Sequence, residues 1–439
     1  MSIDLQKYHN KLKKLDALKS NGKVTQIVGL VVEAAGLKAS IGELCKIVSR
    51  NEEVTIEAEI VGFREDKALL MPLGELHGIG PGSKVFSTGE EFSVNVGEEL
   101  LGRVLDGLGK PIDDRGPLRT KKIYPVYNKP SDPINRKKVG EPISTGIRAV
   151  DGCITIGKGQ RMGVFSGSGV GKSTTMGMIA RNTNAQVNVI ALVGERGREV
   201  RDFIEKDLKI EGLKRSVVVA ATSDQPALVR RMGAFVATSI AEYFRDSGYN
   251  VLLMMDSVTR FAMAQREIGL AIGEPPTTKG YTPSVFSILP KLLERAGTSP
   301  KEGSITGLYT VLVEADDMNE PISDSVRAIL DGHVVLSRAL AAQNHYPPID
   351  IMESVSRCMI DITAPVHKSA ANKLKEVLAV YKNAEDLINI GAYVKGSNRQ
   401  IDYAIEMMPY VKSFLVQGIE EKTDYVDTVA ALKKMFPEE

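Results

Sequence analysis

Tryptophan is absent from the 439 residues, and cysteine and histidine are scarce, with three and five copies. The cysteines, Cys45, Cys153 and Cys358, are far apart and odd in number. They imply no disulfide framework and no zinc pattern, and a reducing cytosol is their simplest home. The histidines (His9, His77, His333, His345, His367) lack metal-ligand spacing. An excess of charge of one sign is also missing. The net value is +1, which removes a global electrostatic case for nucleic acid or an anionic membrane. No apolar run is long enough to span a bilayer. The N-terminus, MSIDLQKYHNKLKK, is charged and has no signal-peptide core. The rest is ordinary globular composition, 43% hydrophobic and 25% charged, at a length that calls for two or three domains.

One local motif stands out from this background. Ser166, Gly167, Ser168, Gly169, Val170, Gly171, Lys172, Ser173 and Thr174 form a glycine-rich stretch between an apolar strand, RMGVF, and a helix running from Lys172 to about Arg181. In such a loop, small residues let successive backbone N–H groups close around nucleotide phosphates. Lys172 then reaches the β- and γ-phosphates, and the Ser173 hydroxyl is placed for Mg²⁺. The strict pattern has glycine first, where this chain has Ser166.

The surrounding texture changes along the chain. Leu5, Tyr8, Leu12, Leu15 and Leu18 share one helical face, with Lys7, Lys11, Lys13 and Lys14 around much of the rest. This predicts an N-terminal amphipathic helix, packed on its own domain or against a partner or membrane surface. From about Lys23 to Val94, short β-type runs broken by turns predict a small barrel, which has no free edge. A Gly/Pro-rich connector comes next, from about Glu99 to Asn128. Then the runs 187–195, 216–222, 250–257 and 304–316 are nearly continuous in apolar residues and alternate with helical stretches such as 226–244. They read as strands buried on both faces of a parallel, doubly wound sheet. From about His367 the pattern is helical.

Ligands of such sheets bind beyond the carboxyl ends of the strands. Asp256 ends NVLLMMDS, as a metal-holding carboxylate should. Glu195 ends a neighbouring strand and is suited to polarise an attacking water, with Arg196 a candidate contact for the γ-phosphate. Glu314, Asp316 and Asp317 come after a further strand and receive no role.

The stretches FSGSGVGKST, GERGREVRDFIE, DSVTRFAMAQREIGLAIGEPP and PISTGIRAVDG together resemble the catalytic-subunit family of rotary and export ATPases, which includes the ATP synthase β subunit and the type III secretion ATPases. The resemblance covers nearly everything from about residue 20. Within the family, GEPPTTKGYTPSVFSILPKLLERAG (273–297) is most similar to the flagellar export ATPases. The resemblance implies an α/β protein with a β-barrel over 21–95, a RecA-like P-loop core over 96–366 and a helical C-terminal domain over 367–439, behind the helix at 1–20. It implies a Mg²⁺-dependent ATP hydrolase whose sites lie between subunits of a homohexameric ring. Arg357, in ESVSR, matches the arginine finger that enters the neighbour's site. Tyr346, in HYPPID, matches the aromatic that packs on adenine, and Arg260 matches a site-proximal arginine. The implied partners are a regulatory stator-like protein at the N-terminal helix, a central stalk-like protein, chaperone–cargo complexes and the export gate at the membrane. The implied location is the cytoplasm, at the membrane's periphery.

The nearest alternative is a virulence-type injectisome ATPase. A subunit of an ion-linked ATP synthase would need a second homologous subunit, whereas Glu195 and Arg357 in one chain make a homohexamer sufficient. A nucleic-acid motor would need a basic, aromatic platform that is not evident. A non-enzymatic regulatory subunit should lack Glu195.

Overall fold

The computed structural model describes residues 21–313 and 317–437. The helix expected over 1–20, with its stripe from Leu5 to Leu18, lies outside the described residues, as do Glu314 and Asp316. The chain forms two compact units. One ends at Phe92 and includes Glu267–Pro275, and the other holds Ser93–Arg266 and Pro276–Glu439.

The first unit contains β1 (Gly22–Val28), β2 (Val31–Ala35), β3 (Glu43–Val48), β4 (Thr55–Arg64), β5 (Lys67–Pro72) and β6 (Lys84–Glu91). They close into an antiparallel barrel in the order β1-β2-β5-β4-β3-β6, with β6 pairing back onto β1. Alternation along each strand sends Val24, Val32, Ala34, Cys45, Ile47, Ala58, Ile60, Leu70 and Val85 inward. The apolar run VTQIVGLVVEAAG is two strands, because Gly29, at φ +56°, turns the chain tightly between β1 and β2. Burial pushes the Cys45 thiol up to about 12, as it does that of Cys153, so neither carries much reactive thiolate near neutrality.

In the second unit the strands are β7 (Ser93–Val96), β8 (Val104–Asp106), β9 (Lys122–Pro125), β10 (Arg161–Ser166), β11 (Val187–Val193), β12 (Ser216–Ala221), β13 (Asn250–Asp256), β14 (Gly297–Thr298), β15 (Ser304–Leu312), β16 (Gly332–Leu336) and β17 (Ile349–Ser356). A nine-stranded sheet runs β17-β16-β10-β15-β13-β11-β12-β8, with β14 as a short addition to β15. The strands from β16 to β8 along this path are parallel, and β17 pairs antiparallel to β16. Every residue of β11 and β12 is buried, as expected for strands covered on both faces. Two features differ from the sequence reading. The Gly/Pro-rich connector supplies the edge strand β8 and, through β9, a two-stranded ribbon with β7. Strands of three and four residues are too short to show a period, so the glycines and prolines dominated the pattern.

The helices that matter for the site are α1 (Arg148–Cys153), α2 (Lys172–Asn182), α3 (Gly197–Asp202), α4 (Ala227–Asp246), α5 (Val258–Ile272), α6 (Pro283–Leu293), α7 (Pro365–Asn389), α8 (Arg399–Leu415) and α9 (Tyr425–Met435). The last three pack on α1 through one continuous core that includes Val150, Leu374, Val411, Phe414 and Leu432. The connector is pinned by a buried ion pair. Arg295 grips both carboxylate oxygens of Glu242 on α4 at 2.9 and 2.7 Å and donates to the Val126 carbonyl at 2.7 Å. Such a pair is costly to break, because removing one partner strands the other charge. Among the described residues, no helix is long and apolar enough to cross a membrane.

Candidate functional site

β10 delivers the glycine-rich loop to the carboxyl edge of the sheet, and α2 begins at Lys172 immediately after it. The left-handed backbone is at Gly169 (φ +77°) and Gly171 (φ +96°), which only glycine adopts at no steric cost. Ser166 needs no such freedom. It is the last extended residue of β10, paired with Leu312 and Leu336, and its carbonyl accepts the Val313 N–H at 3.0 Å. That is why the departure from glycine at this position leaves the turn intact. Ser173 is exposed at the first turn of α2, and Thr174 beside it is half-buried.

Neighbouring strands bring two carboxylates to Lys172. Its ammonium lies 2.5 Å from Asp256, at the end of β13, and 3.6 Å from Glu195, just beyond β11. The strand order makes this meeting unavoidable, since β10, β15, β13 and β11 are consecutive and parallel. Thr310 on the intervening β15 donates its hydroxyl to Asp256 at 2.7 Å and fixes that carboxylate from below. Desolvation works against the charge on Lys172, but Asp256 and Glu195 outweigh it, and its pKa is raised. Burial, and after it the charge of Asp256, lifts Glu195 to about 7, with Glu199 adding to the rise and Lys172 opposing it. A carboxylate poised there can take a proton from water at working pH, whereas an ordinary glutamate is a poor base.

This shift predicts a pH profile. If Glu195 is the base that activates water, it must be unprotonated to act, so kcat/KM should rise with pH through about 7 and fall tenfold for each unit below it. Glu199→Gln removes a group that raises the Glu195 pKa, so the step moves to lower pH. A step that stays in place in Glu199→Gln belongs to the nucleotide or to another group.

The other sequence candidates are spread around this cluster. Tyr346 stands over the loop, its ring 3.7 Å from where a Cβ on Gly171 would lie. It helps line a cavity of about 150 Å³ with Gly171, Thr174, Met178, Gln417 and Ile419. The stem of Arg260 packs on Gly194, beside Glu195, and its Nε is buried without a hydrogen-bond partner among the described residues. Arg196 is not brought to the lysine: its side chain is 82% exposed and lies 3.7 Å from Glu199 at the start of α3. Asp317 turns its carboxylate to the Asn319 N–H.

Arg357 is at the other end of the sheet. Ser356 pairs with Gly332 at the start of β16, while Ser166 pairs with Leu336 at its end. Four residues of strand separate the two levels, about 13 Å. The exposed Arg357 therefore starts from the end of the sheet opposite the loop of its own chain.

Sequence reasoning missed Thr310, Gln417 and Ile419. Thr310 is buried in an apolar strand with nothing local to mark it. Gln417 sits far down the chain, yet its backbone N–H donates to the Tyr346 carbonyl at 2.9 Å. Its side chain donates to the Gly146 carbonyl at 2.7 Å and accepts from the Arg148 N–H at 2.8 Å.

Comparison with known proteins adds three family matches and several close relatives. The nucleotide-binding domain of the ATP synthase alpha/beta family matches residues 146–356, and the beta-barrel domain of that family matches 24–89. The T3SS EscN ATPase C-terminal domain matches 363–434. A flagellum-specific ATP synthase of Bacillus subtilis (strain 168) is 56% identical, over 96% of each chain. A type 3 secretion system ATPase of Xanthomonas euvesicatoria is 51% identical, over 94% of this chain and 93% of the other. The assembled ATPase EscN of the enteropathogenic E. coli type III secretion system superposes with a TM-score of 0.89 at 47% identity, covering 94% of this chain and 99% of that one. The same ATPase in complex with its central stalk EscO gives 0.87 at 45% identity and the same coverage.

Proposed function

We propose, for a chain that belongs to the ATP synthase alpha/beta family and within it to the flagellum-specific ATP synthases and type 3 secretion ATPases, that ATP hydrolysis here supports flagellar protein export. The chain is an ATP hydrolase. The observation that carries the fuller reading is the grouping of Lys172, Asp256 and Glu195 at one end of the sheet, with Arg357 at the other.

In this reading the amides from Gly167 to Gly171 and the Lys172 ammonium bind the phosphates. Ser173 and Asp256 are hard oxygen donors of the kind that hold Mg²⁺. When bound, that ion supplies positive charge against the phosphate oxygens. Glu195 takes a proton from the attacking water as its oxygen bonds to the γ-phosphorus. The bond to the β–γ bridging oxygen breaks, and ADP keeps the electron pair. Arg357 stabilises the charge that develops in a neighbouring copy's site, and Tyr346 packs on the base.

Shared sites require a ring of identical copies. The likeness to the assembled EscN and to its complex with the stalk EscO supports a homohexamer around a stalk-like partner. A stator-like regulator at the N-terminal helix, chaperone–cargo complexes and a membrane export gate complete the proposal, with the ATPase at the cytoplasmic face. The injectisome is the second reading, favoured by 51% identity to a type 3 secretion ATPase.

Mg-ATP hydrolysis measured across a protein-concentration series tests the ring. Specific activity should rise as copies associate, and a flat response would overturn shared sites. Deleting the gene should stop release of flagellar filament protein into the medium. Normal flagellar export with loss of host-directed effectors would move the assignment to the injectisome.

A further inference from the structure

Arg357 projects into solvent, but the backbone that carries it is held tightly. Its N–H donates to the Asp331 carbonyl at 3.0 Å. The buried Ser356 before it donates to the Thr155 carbonyl at 2.7 Å and accepts from Gln160 Nε2 at 3.0 Å. The same Gln160 nitrogen donates to the Asp331 carbonyl at 3.0 Å. Gly332 next door has no room for a side chain, since an added Cβ would lie 2.4 Å from the Val355 carbonyl oxygen. Asp331 is thus the point from which Arg357 is hung.

Asp331 is itself clamped. Arg161, the first residue of β10, donates its backbone N–H and Nε to Oδ2 at 3.1 and 3.0 Å, and Nη2 to Oδ1 at 3.1 Å. Desolvation opposes the charge on Arg161, but Asp331 and Glu294 overcome it and raise its pKa. The remaining nitrogen, Nη1, contacts the Glu294 carboxylate just beyond α6, and Arg136 donates to the Glu294 carbonyl at 2.7 Å. The segment 273–297, the stretch that resembles the flagellar export ATPases, ends close by and had no role in the chemistry above.

We propose that Asp331 is a positioning residue for Arg357, clamped by Arg161, and that Glu294 ties the 273–297 segment to the same clamp. This rests on Arg357 acting in a neighbour's site. An arginine on a flexible stem stabilises developing charge best when its anchor does not move, and a misplacement of about 1 Å can cost as much as 10²-fold in rate. A shift of α6 would reach Arg357 through Glu294, Arg161 and Asp331. The chain would then set its neighbour's hydrolysis rate without touching that neighbour's nucleotide.

The test uses full-length Asp331→Asn, which keeps the size and the backbone carbonyl and loses the charge. We expect kcat to fall about tenfold with KM for ATP nearly unchanged, because Asp331 is remote from its own chain's loop. Glu294→Gln should fall less, about threefold. Mixing Asp331→Asn with Glu195→Gln should restore activity, since each Asp331→Asn copy keeps a sound loop and borrows a well-held arginine. A defect that mixing does not repair marks general damage and overturns the inference. Wild-type kcat in Asp331→Asn, beside an inactive Arg357→Ala, overturns the inference alone. A fully active Arg357→Ala overturns the finger reading and this inference with it.

Discussion

Glu195→Gln should hydrolyse ATP about 10³-fold more slowly while binding it as well as the unaltered chain. The substitution keeps the size of the side chain and removes its basicity. Burial beside Asp256 lifts the Glu195 pKa to about 7, and a neutral amide cannot take the proton that the attacking water must lose. Binding should survive, because in the proposed reading the phosphates are held by the loop amides and Lys172, and loss of one nearby negative charge removes a repulsion from the nucleotide. Fluorescent-nucleotide titration and single-turnover hydrolysis separate the two effects. A fall of only a few-fold in the chemical step would exclude Glu195 as the base and direct attention to Glu199.

Arg357→Ala should be as damaging, and its defect should be repairable from outside. A finger arginine is worth about 10³ to 10⁵ in kcat. Arg357 lies about 13 Å along the sheet from the loop level, so its loss leaves the chain's own phosphate site complete. Mixed with Glu195→Gln, it should recover part of the activity, because one variant supplies the loop and the other the guanidinium. Arg357→Lys should not substitute, since a compact ammonium lacks the planar fork that fits phosphoryl oxygens. Recovery of activity without mixing, at high concentration of Arg357→Ala alone, would rule out the shared site.

Much of this site is legible in the sequence, because its parts are local. A strand, a glycine-rich turn and Lys172 are contiguous, and Glu195 and Asp256 each close an apolar run. Parallel strands align such run-ends at one edge, so the residues at the carboxyl ends of the strands make up most of the site. The barrel is legible for a similar reason, since short alternating runs and tight turns leave few other options. Legibility ends where contacts are long-range. Thr310 looks like any core threonine, and Gln417 is 245 residues beyond Lys172. Arg357 is an exposed arginine that no periodicity or spacing marks, and only the family resemblance drew attention to it. The antiparallel edge strand β17 also went unread, although it decides at which end of the sheet Arg357 lies.

Gln417 and Ile419 give the cavity beside the loop a wall drawn from the segment between α8 and α9. The cavity is therefore a joint with two jaws, one carrying the loop and Tyr346 and the other carried on the helices at the chain's end. Its width depends on how those helices lean on α1. If that cavity takes the base, replacing Gln417 and Ile419 by alanine should weaken binding of ATP and leave binding of a bare triphosphate, which meets only the loop and Lys172, nearly unchanged.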